Sequence, residues 1–221
     1  MKDYSIILVY LTNEQKSWPI WKRERTDGPQ EIKRMVDSIT GMFADFRPNI
    51  MLNSHSGGGS FIFGYMDAVK EIPMQVQRIA FIDSDYGYED SLYGEKIINW
   101  LKTSNQNHLN VLAYNDSVVI FNGKPLVSAT GGTWYKSQMI QRKLSRYFTF
   151  IKTTDTGLIK YQALSNKIDI ILKTNPEGKI YHTELVARNG FIHTVLSGTK
   201  YERKAAYTYW GNRVYGKFIR P

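Results

Sequence analysis

Short apolar runs of strand length alternate with helix-periodic segments through the first half of the chain, and this alternation limits the possible folds. Residues 5–11 form a continuous β-prone apolar run, which is typical of a strand buried on both faces of a parallel sheet. Residues 29–46 carry apolar side chains at helical spacing, and residues 49–53 form the next short strand. The pattern predicts an α/β fold with a mostly parallel sheet between two layers of helices.

The rest of the chain continues this pattern less regularly. A helical pattern through Phe63, Met66 and Val69 follows the second strand, and the later segments end in a basic, tyrosine-rich tail. We predict one domain over residues 1–221, of the three-layer α/β/α type, with a β-rich insertion around residues 148–175. The remaining predicted strands are residues 76–82, 110–114, 148–152, 167–173 and 179–186, and the remaining predicted helices are residues 93–101 and 137–147.

Composition excludes several classes of protein. The 221 residues include 29 Lys and Arg against 20 Asp and Glu, a formal net charge of +9, and no cysteine. Disulfides, cysteine-ligated metals and a thiol nucleophile are therefore excluded. The apolar runs are shorter than the roughly 18 residues that a membrane-spanning helix needs, and residues 1–4 do not read as a secretion signal. We expect a soluble chain without a membrane span, and the sequence does not assign its compartment.

The segment Ser54-His55-Ser56-Gly57-Gly58 lies between a predicted strand and a predicted helix. It nearly matches the G-x-S-x-G pattern of a nucleophile elbow, with a serine in place of the first glycine. Small residues are needed there because the strained turn brings the flanking backbones close together. Ser56 is therefore a candidate nucleophile, and the amide of Gly57 is a candidate oxyanion donor. The alternative is a phosphate-binding loop or a plain turn, although neither phosphate-loop pattern is matched.

Only four histidines are available as a base for this serine. We expect His55 to pack locally, His108 to be solvated and His182 to be a structural residue inside a strand. His193 follows the last predicted strand and the turn-prone residues 188–190. A loop at the carboxyl end of a strand is where parallel sheets place their chemistry, so His193 is the predicted base.

The carboxylate that orients the histidine is expected at another strand end. Asp116 follows the second strand after the serine turn, and Asp83 and Asp85 follow the first. A solvated acidic loop, or a cation site formed by Asp83, Asp85, Glu89 and Asp90, is a further interpretation of the second position. Both strand ends therefore remain candidates for the acid.

With these features, over about residues 5–196, the chain resembles the α/β-hydrolase family. The resemblance implies a triad with Ser56 as nucleophile, His193 as base and then acid, and Asp116 holding the imidazole. It also implies the Gly57 amide as one oxyanion donor, with Asp83 as the reserve acid because some lipase-like members take the acid one strand earlier. The implied substrate is a small or acyl-bearing molecule, and no metal or organic cofactor is implied.

One feature departs from the family pattern. Family members carry a second oxyanion donor on a loop after an earlier strand, whereas only one strand and one helix are predicted before the serine turn here. Either residues 12–21 supply that donor, or the chain is an N-terminally truncated piece. Residues 18–21 and 131–134 could line a substrate pocket, although such clusters more often serve packing and turns.

Two functions follow from the sequence. The first is a serine hydrolase that cleaves an ester, thioester or amide bond through an acyl-enzyme. The second is a catalytically impaired module of the same fold that binds an anionic polymer or nucleic acid through its tail, although such residues more often form a solvated helix face. The tail residues concerned are Tyr201, Arg203, Lys204, Tyr207, Tyr209, Arg213, Tyr215, Lys217 and Arg220.

Overall fold

The main element of the fold is a mixed sheet of six strands. The computed structural model describes residues 6–202 and 206–216. The sheet strands are β1 (Ile50–His55), β2 (Val76–Ile82), β3 (His108–Tyr114), β6 (Ile151–Asp155), β7 (Leu158–Ala163) and β8 (Ile168–Lys173), and a separate small hairpin consists of β4 (Ile120–Phe121) and β5 (Lys124–Pro125). The strands of the sheet lie in the order β1-β2-β3-β8-β7-β6. β1, β2, β3 and β8 are mutually parallel, whereas β7 and β6 are antiparallel to their neighbours.

Helices flank this sheet. They are α1 (Trp18–Arg23), α2 (Gly28–Gly41), α3 (Gly59–Ala68), α4 (Glu95–Thr103), α5 (Thr133–Leu144), α6 (Glu184–Ala187) and α7 (Gly190–Leu196). The larger hydrophobic core joins α1 to α5 to one side of the central strands, and a smaller core joins α6 and Tyr209 to the other. The predicted α/β architecture, with a mostly parallel sheet flanked by helices, is confirmed. No helix within the described ranges is long and apolar enough to cross a membrane.

The central strands are buried on both faces, as their continuous apolar sequences predict. Every residue of β3 is buried, and so are six of the seven residues of β2. Alternate side chains of β3 enter different cores, since Val111 belongs to the larger core and Leu112 to the smaller one. The predicted strand at residues 76–82 coincides with β2, and the one at 110–114 lies within β3.

The predicted first strand is wrong. Residues 6–11 have no regular secondary structure, and Ile6 and Tyr10 are 69% and 87% exposed. Ser5, where the prediction begins, lies outside the described residues. A strand is stable only where another strand accepts its backbone hydrogen bonds, and β1 is the outermost strand on this side of the sheet. An apolar, β-prone sequence alone therefore did not produce a strand here.

The predicted strand at residues 179–186 is also wrong. Residues 179–183 form a loop, and residues 184–186 belong to α6. The side chain of Asn175 hydrogen-bonds both the amide and the carbonyl of Ile180, at 2.9 and 3.1 Å, and the carbonyl of Asn115. These bonds take the backbone groups that a neighbouring strand would otherwise use. The chain after β8 therefore turns over the carboxyl edge of the sheet instead of extending it.

The segment predicted as a β-rich insertion, residues 148–175, contains β6, β7 and β8. All three strands are part of the main sheet, and β8 pairs with β3 in parallel register over Leu109–Tyr114. The sequence analysis missed β7, whose middle residues are only half buried. The segment therefore completes the sheet, and β8 directs the following loop toward the ends of β1 and β2.

Candidate active site

Ser56 lies on a strained turn between a strand and a helix. β1 ends at His55, and a helical turn over Ser56–Gly58 leads into α3. Ser56 has a backbone φ of +56°, in the left-handed region that a non-glycine residue occupies only at a cost. A β-carbon on Gly58 would lie 3.3 Å from the β-carbon of Ser54. The small residues of the motif thus meet across a tight turn, and the amide of Gly57 lies in a first helical turn, where it has no partner within the helix.

The turn is held against the loop that follows β2. A β-carbon on Gly59 would lie 1.6 Å from the carbonyl oxygen of Ser84, so only glycine fits there. The hydroxyl of Ser54 is 2.7 Å from that of Ser84. Serine in place of the first glycine of the motif therefore has a structural partner. These contacts bring the serine turn next to Asp83, the first residue after β2.

The Asp83 carboxylate binds a histidine, and that histidine is His182. Asp83 is fully buried, and one of its oxygens pairs with Nδ1 of His182 while the other accepts the hydroxyl of Thr133. An ionised carboxylate can only accept hydrogen bonds; opposite one, Nδ1 is the donor and Nε2 is the nitrogen with a free lone pair. The His182 side chain is 30% exposed. No described protein group hydrogen-bonds Nε2, so this nitrogen remains able to accept a proton.

His55 joins this pair to the serine turn. Its ring stacks on the ring of His182, with centroids 4.4 Å apart and planes inclined by 26°. Its Nε2 lies 3.3 Å from the main-chain carbonyl oxygen of His182, to which it donates. Burial and the neighbouring His182 lower the pKa of His55, which favours the neutral ring. The imidazole of His182 is thereby held against the residue that precedes Ser56.

Asp116 has a different role from the predicted one. Its carboxylate accepts the backbone amides of Thr133 at 2.8 Å and Trp134 at 3.4 Å, at the start of α5. A β-carbon on Gly132 would lie 2.4 Å from a carboxylate oxygen of Asp116. Burial and the nearby charge of Asp83 raise the pKa of Asp116. Within the described ranges no histidine bonds Asp116; it holds the helix that presents Thr133 to Asp83, and the histidine is bound by the reserve acid instead.

His193, the predicted base, lies elsewhere in the molecule. It is part of α7, and both of its ring nitrogens are engaged: Nε2 lies 2.8 Å from the Asp169 carboxylate and Nδ1 3.2 Å from the Tyr207 hydroxyl. Asp169 is in the same row across the sheet as Ala80. Asp83 comes three residues after Ala80, which is about 10 Å further along the strand direction. The structure therefore does not bring His193 to the serine turn.

The prediction of His193 in place of His182 has a clear origin in the sequence. Because residues 179–186 were interpreted as the last strand, the first histidine beyond that segment, His193, was placed at its carboxyl end. The last strand is β8, which ends at Lys173, and His182 is the first histidine after it. The Asn175-Pro176-Glu177-Gly178 sequence is a turn signal that could have identified this loop. No sequence pattern of this kind indicates that Thr133 contacts Asp83.

The interpretation of the acidic loop as a cation site has little support. Asp85 is bonded to the hydroxyl of Ser137 at 2.7 Å, and burial raises its pKa to about 8. Glu89 pairs with the amino group of Lys136 at 2.7 Å. Across residues 6–202 and 206–216, no three His, Asp or Glu side chains are placed to hold one metal ion. Ser137 thus engages one oxygen of Asp85, and Lys136 engages one oxygen of Glu89.

Much of the aromatic tail packs against the protein. Tyr209 is buried and stacks on His193 with ring centroids 5.0 Å apart, and the Tyr215 hydroxyl donates to the carbonyl of Val186 at 2.6 Å. These rings serve packing within the fold. Four other residues named for polymer binding, Arg203, Lys204, Lys217 and Arg220, lie outside the described residues.

The segment before α2 lies next to the serine turn. A β-carbon on Gly57 would lie 3.2 Å from Cδ of Pro19, which places the start of α1 beside the candidate oxyanion donor. Trp18 and Trp21 are buried and pack edge to face with centroids 5.4 Å apart, as part of the larger core. Comparison of the chain with protein-family models, with curated proteins and with solved structures finds no match.

Proposed function

We propose that this chain is a serine hydrolase that cleaves an ester, thioester or amide bond. In this proposal Ser56 is the nucleophile, His182 is the general base and Asp83 orients the imidazole. The observation that carries it is the pair of buried Asp83 with partly exposed His182, held through His55 next to Ser56, whose backbone is left-handed. This is the combination of nucleophile, base and orienting group that acyl transfer requires.

The reaction has two halves. His182 Nε2 takes the proton of the Ser56 hydroxyl as its oxygen attacks the acyl carbon, and the Asp83 carboxylate stabilises the imidazolium that forms. The proton then passes to the leaving alcohol, thiol or amine as the acyl-enzyme forms. Water, deprotonated by His182, attacks the acyl-enzyme and releases the acid and free Ser56.

The hydrogen bond between Ser56 and Nε2 of His182 is not formed in the described structure. In unliganded hydrolases this bond is often long, and it shortens when the substrate excludes water from the site. The exposed fraction of the His182 side chain, 30%, leaves room for such a change. Ser56 itself is only half buried, so a carbonyl group can approach its hydroxyl from solvent.

Two backbone regions support an oxyanion site. The Gly57 amide lies in the first turn before α3, where it can donate to a developing negative charge. A β-carbon on Gly57 would lie 3.2 Å from Cδ of Pro19, so the start of α1 lies on this side of the turn. In the proposed enzyme, the segment that leads into α1 supplies the second hydrogen-bond donor to the oxyanion. Loss of one such donor typically lowers the rate by about 10²–10³.

Fluorophosphonate labelling of the purified chain tests this proposal. We expect the wild-type protein to be labelled at Ser56, and labelling to be lost in Ser56→Ala and His182→Ala. His193→Gln is the matched control, because it alters the other buried histidine–aspartate pair and should retain the labelling rate per folded molecule. Equal labelling of the wild type and the His182→Ala variant, or labelling that depends on His193, would refute the assignment.

A further inference from the structure

We infer that His55 is a positioning residue for the base: it holds the loop that carries His182 so that the His182 imidazole faces the serine turn. This inference rests on the proposed function of Ser56 and His182. It assigns to the residue preceding the nucleophile a role in aligning the base. His55 is not given a proton-transfer role in the reaction.

The loop that carries His182 needs a support. His182 lies between the end of β8 and α6, in a segment without regular secondary structure. The Asn175 side chain fixes the loop at Ile180. On His182 itself, the contacts come from Asp83 at Nδ1, from His55 at the main-chain oxygen and ring face, and from the ring of Tyr86, whose centroid is 6.4 Å away.

The two contacts of His55 act on different parts of His182. The bond from Nε2 of His55 holds the backbone carbonyl, whereas the stacked ring restricts rotation of the imidazole about its side-chain bonds. Asp83, directly after the neighbouring strand β2, fixes one edge of that imidazole. An imidazole held at one edge and on one face, with its backbone tied, has a defined direction for Nε2.

His55 is itself held in place by the sheet. It is the last residue of β1, paired in register with Ile82, and its backbone is extended at φ −127° and ψ 142°. Its ring is half buried, and the groups that act on it electrostatically are His182 and Asp83. Burial and the charge of a protonated His182 both favour neutral His55, so the two stacked rings do not become two adjacent cations during the reaction.

Three variants separate the contacts. His55→Ala removes both, His55→Phe keeps a stacked ring without the donor, and His55→Gln keeps a donor without the ring. We expect kcat for an activated ester, p-nitrophenyl acetate, and the fluorophosphonate labelling rate to fall about 10- to 100-fold in His55→Ala. KM should be unchanged, and the two conservative variants should each restore part of the rate. Tyr209→Leu, which removes the ring stacked on His193, is the matched control and should keep the wild-type rate per folded molecule.

A second measurement does not depend on activity. The ¹⁵N chemical shifts of the His182 imidazole report which ring nitrogen carries the proton, and we expect the proton on Nδ1 in the wild type. In folded His55→Ala the shifts should move toward a mixture of the two neutral forms. Retention of both the wild-type kcat and the wild-type shifts, or a raised KM with unchanged kcat, would overturn the inference. Failure of the proposed function is distinguishable, because the wild type would then not be labelled at Ser56, while the shifts would still test the alignment.

Discussion

Two buried aspartates each bind a histidine, and their surroundings determine what each pair can do. The Asp83–His182 pair lies at the carboxyl ends of the strands, against His55, the residue before Ser56, and its histidine side chain is 30% exposed. The Asp169–His193 pair lies about three residues nearer the amino ends, under α7, and its histidine side chain is 8% exposed. The same two side-chain types therefore occur once at an accessible edge and once within the core.

The second ring nitrogen makes the distinction sharper. The Tyr207 hydroxyl lies against Nδ1 of His193, and Tyr209 covers its ring. Gln162 and Ser197 also donate to the Asp169 carboxylate. A histidine whose two nitrogens are both engaged serves packing and hydrogen bonding. A base needs one nitrogen within reach of substrate, which is the condition that His182 meets.

Exchanging each carboxylate for an amide should give the largest difference between the pairs, and this difference is in the hydrolysis rate. In Asp83→Asn the amide group donates to Nδ1 and shifts the proton to Nε2, which removes the base. We expect the hydrolysis rate of an activated ester to fall about 10⁴-fold. Asp169→Asn should keep the wild-type rate per folded molecule, as measured by active-site titration. Similar losses in both variants would show that the two pairs are not functionally distinct.

When each carboxylate is removed and stability is measured, the larger effect should be at Asp169 and the smaller at Asp83. Asp169→Ala leaves His193, Ser197 and Gln162 without their shared partner in a closed core, and we expect a loss of about 3–5 kcal/mol in the free energy of unfolding. Asp83→Ala leaves His182 next to solvent, where water can take the place of the carboxylate, so the loss should be smaller by at least about 1 kcal/mol. Urea unfolding measures both values. A greater loss for Asp83→Ala would contradict the assignment of the core pair as structural.

The fold was largely predictable because its central strands are continuous apolar sequences. β2 and β3 are buried on both faces, so their boundaries are encoded locally. Residues 6–11 have the same composition, but pairing depends on a neighbouring strand, which the sequence of the segment does not specify. β7 was missed for the opposite reason, since its half-buried middle residues give no continuous apolar signal.

The site was predictable in part. The serine turn and Asp83 each come directly after a buried strand in the sequence. The apolar sequence of that strand was therefore sufficient to identify them as candidates. The choice between His182 and His193 depended on where the last strand ends, and the side chain of Asn175 prevents the predicted strand by bonding the Ile180 backbone. Contacts of this kind depend on the tertiary structure and produce no periodic pattern in the sequence. The choice of Asp83 over Asp116 likewise depends on the position of α5.

Asp85 is another buried carboxylate, bonded to a hydroxyl and not to a histidine. Burial and the charge of Asp83 raise its pKa to about 8, from an ordinary value of 3.8. Because the pKa in the folded state is the higher one, the associated stability is complete below about pH 3.8 and is lost as the pH rises toward 8. We expect the free energy of unfolding of the wild type, relative to Asp85→Asn, to fall over this range by at most about 1.4 kcal/mol per pH unit. A difference independent of pH would mean that Asp85 is ionised in the folded protein.

The smallest expected effect compares two residues with left-handed backbones, one beside each pair. Ser56 has φ +56°, and Asn189, before α7, has φ +68°. Ser56→Gly should raise the free energy of unfolding by about 0.5–1 kcal/mol because glycine adopts this conformation without strain, whereas Ser56→Ala retains the strain and should change it little.

Asn189→Gly should lower the free energy of unfolding by more than about 1 kcal/mol. The Asn189 side chain bonds the backbones of Thr208, Asn212 and Val214, and these three bonds are lost with it. Thermal or urea unfolding of the variants at Ser56 and Asn189 measures the contrast. If Ser56→Gly is no more stable than Ser56→Ala, the serine turn stores no strain. If Ser56→Gly is more stable than Ser56→Ala, the backbone conformation of the candidate nucleophile destabilises the folded chain. At Asn189 the same conformation is stabilised by hydrogen bonds.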